Sequence, residues 1–175
     1  MKTFISDLHL VIDKKHGNYH LLNIYFKNGN AYVSDGWVLI RQPLSYSDIE
    51  GKEALENVAI SGEKFKAIRK MKHVTATKAG FYCVSKEGES VLFEYEKDFK
   101  MPDFESVIPK PDKEHHLCEL GIDLERLNKL RLAMIKNKRG VKMTFTGENR
   151  AILINSLEED FKEELGIIMP LCLSK

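Results

Sequence analysis

One arrangement occurs twice in this chain and limits what it can become: a short apolar strand, a capped helix, then three strands parted by tight turns. In the first copy Val58-Ala59-Ile60 reads as the strand and Ser61 as the helix N-cap, with Glu63 at the positive end of the helix dipole. The helix is expected to run to about Lys72. Strands follow over 73–78, 80–85 and 90–96, with turns at Lys78-Ala79-Gly80 and Lys86-Glu87-Gly88. The second copy begins at Leu117, with a short strand reaching Ile122. Asp123 caps a helix from Leu124 to about Lys136. Strands are expected over 141–146, 150–155 and 165–172, with turns at Gly140 and Gly147-Glu148-Asn149. Glu158–Glu164 reads as an acidic loop or a helical turn. Repeated units of this kind bury their apolar faces against one another. The expected class is α+β with antiparallel sheets.

The N-terminal third keeps the strands and lacks a clear helix. Residues 19–26 read as a strand and Lys27-Asn28-Gly29-Asn30 as a turn, after which Ala31-Tyr32-Val33 pairs back. Ser34-Asp35-Gly36 forms another tight turn, because glycine tolerates the positive φ such turns need. Trp37–Ile40 continues as a strand that Pro43 ends, and 44–56 is a polar, acidic loop. Pro102 to Lys113 holds three prolines and reads as a joint. The expected division is 1–101, an N-terminal strand module plus one complete module; a linker over 102–116; and a second half-domain over 117–175.

The helices carry their charge on one face. In the first, Phe65, Ile68 and Met71 make one apolar stripe, opposite Lys66, Arg69, Lys70 and His73. In the second, Leu124, Leu127, Leu130 and Met134 make the stripe. Arg126, Lys129 and Lys136 face away, Lys138-Arg139 follow, and the stem of Arg131 snorkels along the stripe. Acidic residues gather elsewhere, at Asp48–Glu56 and Glu158–Glu164. The net charge of +1 excludes a uniformly basic nucleic-acid binder but not a local basic face. Rows of Lys and Arg on helices attract duplex phosphates without reading sequence. The same pattern also suits two solvated amphipathic helices.

Composition narrows the class further. A hydrophobic fraction of 43% with 30% charged residues suits a soluble globular protein. No stretch approaches the roughly 20 apolar residues that cross a bilayer, so no membrane partner is expected. The start lacks a signal-peptide pattern. Cys83, Cys118 and Cys172 have neither zinc-like nor redox-like spacing, as expected of free thiols in a reducing cytoplasm.

Enzymatic chemistry is not evident. Ser61, Ser85 and Ser106 occupy no nucleophile elbow, and no Gly-rich phosphate loop precedes a helix. His115-His116 lies in the joint without a matching ligand pair. Asp103 and Glu105 could mimic an acid/base pair, but turn capping suits an Asp after Pro better. Glu158, Glu159 and Asp160 suit a solvated loop. No catalytic residue, metal or cofactor is expected.

Three segments carry a family resemblance. Ala31-Tyr32-Val33-Ser34-Asp35-Gly36-Trp37-Val38-Leu39 resembles the Thr-Asp-Gly-His-Arg-Leu turn in the middle domain of bacterial DNA sliding clamps, the DNA polymerase III β subunit family. Met101-Pro102-Asp103-Phe104-Glu105-Ser106-Val107-Ile108-Pro109 resembles the Phe-Pro-Asp-Tyr-x-x-Val-Leu-Pro segment that leaves that domain. Ile167-Ile168-Met169-Pro170-Leu171-Cys172-Leu173 resembles the C-terminal Val-Val-Met-Pro-Met-Arg-Leu. All three occur in the family's order.

The resemblance implies a shortened DNA-clamp-like fold of repeated strand–helix–three-strand modules, without counterparts of the family's first domain and about half of its last. It implies a DNA-tracking or processivity factor that binds duplex DNA non-specifically. Lys66, Arg69, Lys70, His73, Arg126, Lys129, Lys136, Lys138 and Arg139 would face phosphates. It also implies a hydrophobic pocket for short peptides of DNA polymerase or other clamp-binding partners. Position by position, one wall would be Leu21, Ser34, Gly36, Trp37, Val38 and Leu39. The rest would be Pro102, Ser106 and Val107, with Ile167, Ile168, Met169, Pro170 and Leu173. Strand alternation requires some of these to be core instead. Trp37 and Val38 replace the family's His-Arg, and Cys172 its penultimate Arg, so fewer charges would line the rim.

Family rings close by symmetric contacts between chains, so a homo-oligomer is one expectation here, held by edge strands. The alternative is a clamp-fold interaction adaptor that binds peptides but neither closes a ring nor binds DNA. Either reading needs both helices on one surface and the tail folded back beside the Ser34–Leu39 bend.

Overall fold

A computed structural model of the chain describes residues 6–12, 19–110, 120–134, 140–147 and 150–172. Ten strands in these residues form two antiparallel sheets. They are β1 (Asn23–Lys27), β2 (Asn30–Ser34), β3 (Val38–Pro43), β4 (Val58–Ser61), β5 (His73–Ala76), β6 (Gly80–Val84), β7 (Ser90–Glu94), β8 (Val141–Thr144), β9 (Ile152–Ser156) and β10 (Leu165–Ile168). One sheet has the order β4-β1-β2-β3-β10-β9-β8, the other β5-β6-β7. The two α-helices are α1 (Gly62–Ile68) and α2 (Leu124–Ala133).

The turns follow from local chemistry. Asn28 and Gly29 both take positive φ, 48° and 69°, as a two-residue turn between right-twisted strands requires. At the β2–β3 turn the Asp35 carboxylate oxygen Oδ1 accepts from the backbone N–H groups of Trp37 at 2.9 Å and Val38 at 2.8 Å. The Gly36 N–H donates to Ser34 Oγ at 3.0 Å, with Gly36 at φ 89°. Asp123 caps α2, accepting from the N–H groups of Glu125 at 2.8 Å and Arg126 at 3.3 Å. Ser61 sits at the N-cap of α1 but makes no side-chain cap bond; its own N–H donates to Glu96 Oε1 at 3.3 Å.

Several elements differ from expectation. Residues 19–22 form a 3-10 turn, and the strand begins only at Asn23. Helix α1 ends at Ile68, and Arg69 to Met71 continue as a tightened turn. Ahead of α2 the described residues hold a single bridge, Gly121 to Leu171, in place of a strand. Glu159–Phe161 is a 3-10 turn.

The seven-stranded sheet has two dressed faces, and the pleat decides which residues meet which layer. Ile24, Phe26, Val33, Val38, Ile40, Ile152, Ile154 and Ile168 point inward. They share one core with Phe65 and Ile68 of α1, Leu130, Ala133 and Met134 of α2, and Leu8 and Val11. Val74, Phe81 and Cys83 of the three-stranded sheet join that core, where the Phe26 and Phe81 rings meet edge-on at 5.6 Å. Both helices therefore lie on one side of the large sheet. The 3-10 turn Leu8–Leu10 packs against each of them, where the N-terminal module lacks a helix.

The opposite face gathers Tyr25, Tyr32, Leu39, Leu153, Leu165 and Ile167 into a second cluster with Phe104. Phe104 stacks on Tyr32 at 5.0 Å and 4°, and the Tyr32 hydroxyl donates to Glu105 Oε1 at 2.7 Å. The expected linker is thus, over its described residues to Lys110, a strap bound to the sheet by aromatic contacts. Asp103 caps the strap's turn, its Oδ1 accepting from the Ser106 N–H at 3.3 Å.

Candidate functional site

Strand β10 lies between β3 and β9, in a register that sets Val38 opposite Ile168, Leu39 opposite Ile167 and Ile40 opposite Gly166. Beyond Ile168 the pairing continues: the Met169 N–H donates to the Trp37 carbonyl at 2.9 Å. The Leu171 N–H then donates to the Gly121 carbonyl at 2.9 Å, tying the tail to the residues before α2. The β2–β3 turn, the chain after β10 and the first turn of α2 meet at one place.

Trp37 stands at that place with half its surface exposed. The Arg126 guanidinium lies 4.0 Å from the indole centroid. Its Nε is 3.4 Å from Asp123 Oδ2, and its Nη1 donates to the Met169 carbonyl at 3.5 Å. One turn further along α2, Lys129 Nζ donates to Asp35 Oδ2 at 2.6 Å, and that carboxylate is only 2% exposed. Asp35 thus holds the turn with one oxygen and α2 with the other.

The expected pocket residues separate by strand face. Leu39 and Ile167 belong to the outer cluster and are buried in it, at 4% and 5% exposure, with Met169 partly buried against it. Val38 and Ile168 leave the candidate wall: they point inward and are closed off in the helix-side core. Ser34, Gly36 and Trp37 form the turn. A Leu21 methyl lies 3.6 Å from where a Cβ on Gly36 would stand. Pro170 is buried beside the bridge at Leu171. Pro102, Ser106 and Val107 ride on the strap, which Tyr32 and Arg41 anchor along the hairpin from Trp37; Arg41 pairs with Glu105 at 3.4 Å. Ile108 brings the strap to the cluster that Met169 also joins. Leu173 lies outside the described residues.

The basic residues also separate. Lys66, Lys70 and His73 are exposed on and just after α1. Arg69 is half-buried and ion-paired with Asp7, so it is not a free phosphate ligand. Arg126 and Lys129 are corrected: both are engaged at the turn rather than presented on an open face. Lys136, Lys138 and Arg139 lie outside the described residues. On α2 the stripe is rotated, because Leu124 is 77% exposed while Leu130, Ala133 and Met134 are buried. Arg131 is exposed, its Nε donating to Asn128 Oδ1 at 3.0 Å.

Sequence reasoning missed Asp35, Arg126 and Lys129 as one unit. The spacing of Asp123, Arg126 and Lys129 places them along one flank of a helix, and an Asp opening a tight turn often bonds the backbone ahead of it. Nothing local says that this flank meets that turn.

Among the described residues no group of three or more His, Cys, Asp or Glu side chains could hold a metal ion. His115 and His116 lie outside them. Burial pushes the Cys83 thiol up to about 11, leaving it protonated and unreactive at neutral pH. No helix among these residues is long and apolar enough to cross a membrane.

No protein-family model and no curated protein matches the chain. Solved structures do. The DNA polymerase III subunit beta from Pseudomonas aeruginosa aligns over 99% of this chain and 67% of its own, at 13% identity and a TM-score of 0.55. The DNA polymerase sliding clamp from Pseudomonas aeruginosa with ligand aligns over 99% of this chain and 66% of its own, at 14% identity and a TM-score of 0.56. The chain spans about two thirds of the length of those proteins. It has the DNA-clamp fold.

Proposed function

We propose that this chain is a clamp-type docking module that associates with duplex DNA without reading sequence and receives short peptides of DNA-working proteins at Trp37. The observation that carries the reading is the joint placement: α1 and α2 pack on one face of the continuous sheet, and the tail is hydrogen-bonded beside the Trp37 turn. Lys66 and Lys70 supply exposed positive charge on the helix side, with the exposed His73 beyond them. Trp37 and the partly buried Met169 supply an apolar surface with a flexible thioether, backed by the buried Leu39 and Ile167 and suited to leucine and aromatic anchors. The module acts by tethering and carries out no chemical step.

Open sheet edges support assembly of several copies. At β4 the edge is occupied by Glu96, whose N–H donates to the Ala59 carbonyl at 2.9 Å. At β5 Glu50 fills the edge, exchanging backbone bonds with Val74 at 3.1 Å and Ala76 at 2.8 Å. β7 and β8 have no such cover among the described residues. They expose Val91, Leu92 and Val141.

Backbone amide NMR tests both surfaces in one experiment. A mixed-sequence duplex should shift the amides from Lys66 to His73, at the end of α1 and just after it. A blocked Leu-Leu-Phe tripeptide should shift Trp37, Leu39 and Met169. Absence of both sets of shifts contradicts the proposal.

A further inference from the structure

We infer that Arg69 is a conditional phosphate ligand: Asp7 holds it while His9 is neutral and gives it up when His9 takes a proton. This rests on the duplex-binding reading above. Asp7 and His9 belong to the N-terminal 3-10 turn that packs against both helices. Arg69 follows α1, and in the chain it stands between the exposed Lys66 and Lys70. One carboxylate oxygen serves both neighbours. Arg69 Nη1 is paired with Asp7 Oδ1, and His9 Nδ1 lies 4.0 Å from the same oxygen. That gap is about 1 Å longer than a hydrogen bond. His9 Nδ1 and Arg69 Nε are both buried without a hydrogen-bond partner among the described residues, so neither nitrogen is committed elsewhere.

A protonated imidazole carries N–H on both nitrogens, so His9 Nδ1 becomes a charged donor facing Asp7 whichever tautomer precedes it. A single carboxylate charge then answers two cations. From α1, Lys66 adds a third positive group, and Glu63 lines the same cavity as His9 and Lys66. The charged groups of α2 are engaged elsewhere or exposed: Arg126 and Lys129 at the β2–β3 turn, Arg131 with Asn128, and Glu125 in solvent. His9 is the more covered partner of Asp7, with 13% of its side chain exposed against 27% for Arg69. A covered charge left without its counter-ion costs more than an accessible one, so His9 keeps the carboxylate and Arg69 yields it. The guanidinium then turns outward, where a phosphate takes it in the bidentate geometry that guanidinium favours.

Side-chain NMR of the full chain reads the switch without DNA. Between about pH 7.5 and about pH 5.5, the range in which histidine titrates, the Arg69 Nε–H signal should move with the same midpoint as the His9 ring. In H9Q the Arg69 signal should stay in place. Binding of a mixed-sequence duplex over the same range reads the consequence. The exposed His73 titrates in both proteins, so the difference between them is the measure. On acidification wild type should gain about tenfold in affinity relative to H9Q, as expected for one hydrogen bond between charged groups. Its salt slope should steepen by about one. D7N should bind more tightly than wild type at neutral pH and should lack the extra gain. An Arg69 signal that ignores His9, or a gain equal in wild type and H9Q, overturns the switch while leaving duplex binding intact. No duplex affinity at either pH overturns both.

Discussion

The backbone N–H of Met169 donates to the carbonyl oxygen of Trp37 at 2.9 Å, one step past the last paired residues of β3 and β10. That bond carries the tail off the end of the sheet and lays it along the β2–β3 turn. The Leu171–Gly121 bridge then delivers it to α2. A surface assembled from three distant stretches is thereby held by backbone bonds, which side-chain substitutions do not remove.

Lys129 keeps α2 against this turn. Asp35 is 2% exposed, so replacing Lys129 by Met leaves a buried carboxylate oxygen without its cation. Urea unfolding of K129M should show a loss of about 1–3 kcal/mol. The loss should shrink in a D35N background, where no charge is left behind. Equal losses in both backgrounds would mean that the pair is not coupled.

At Gly166 the side chains of Leu130 and Met134 pack directly on β10. A Cβ there would lie 2.8 Å from Met134 Sδ and 3.1 Å from a Leu130 methyl. G166V should cost about 1–3 kcal/mol through overpacking and should alter Trp37 fluorescence as Arg126 shifts with the helix. G166A should cost less, since the Met134 thioether can swing aside. Thermal melts of the two variants check the order; a G166V protein as stable as wild type would contradict the packing.

Much of this was legible in the residues. Asn28-Gly29, Ser34-Asp35-Gly36 and Asp123 announce their turns and cap through local chemistry, and the order of strands and helices follows from apolar patterning. What was hidden depends on register. Whether Val38 or Leu39 faces the helices is decided by how β3 sits in the sheet beside β10, and a one-residue slip would exchange the faces. The rotation of α2 was hidden for the same reason. Leu124 fits an apolar stripe by spacing, but the sheet meets the flank of Leu127, Leu130, Ala133 and Met134, leaving Leu124 to solvent. Arg126 and Lys129 read as a phosphate-facing row because no sequence rule told that the β2–β3 turn would reach them first.

His9 gives a pH signature. It sits on the turn between the helices; burial first, and Lys66 second, lower its pKa below the ordinary 6.5. Its Nδ1 is buried without a hydrogen-bond partner, 4.0 Å from Asp7, with the Phe65 ring nearby. A lowered pKa means that the unfolded chain takes up the proton first. The stability His9 contributes is therefore present above 6.5 and is lost as pH falls through its folded value. Thermal melts should show wild type losing more stability than H9Q on acidification below 6.5. Parallel pH profiles for the two proteins would contradict this.

The open edges make association measurable. Light scattering should find a species larger than one chain that grows with concentration. L92K on β7 and V141K on β8 should each shift it toward the monomer, because a charge on an exposed edge opposes strand pairing. A wild-type protein that stays monomeric at every concentration would remove assembly from the proposal.

The most direct measurement is the salt dependence of binding to a mixed-sequence DNA duplex, followed by fluorescence anisotropy. Affinity should fall as salt rises, with a slope of about −0.9 per phosphate neutralised in a plot of log affinity against log salt concentration. The K66E/K70E protein should bind more weakly, with a slope shallower by about two. A wild-type protein without affinity for the duplex, or a variant with the same affinity and slope, would contradict the account.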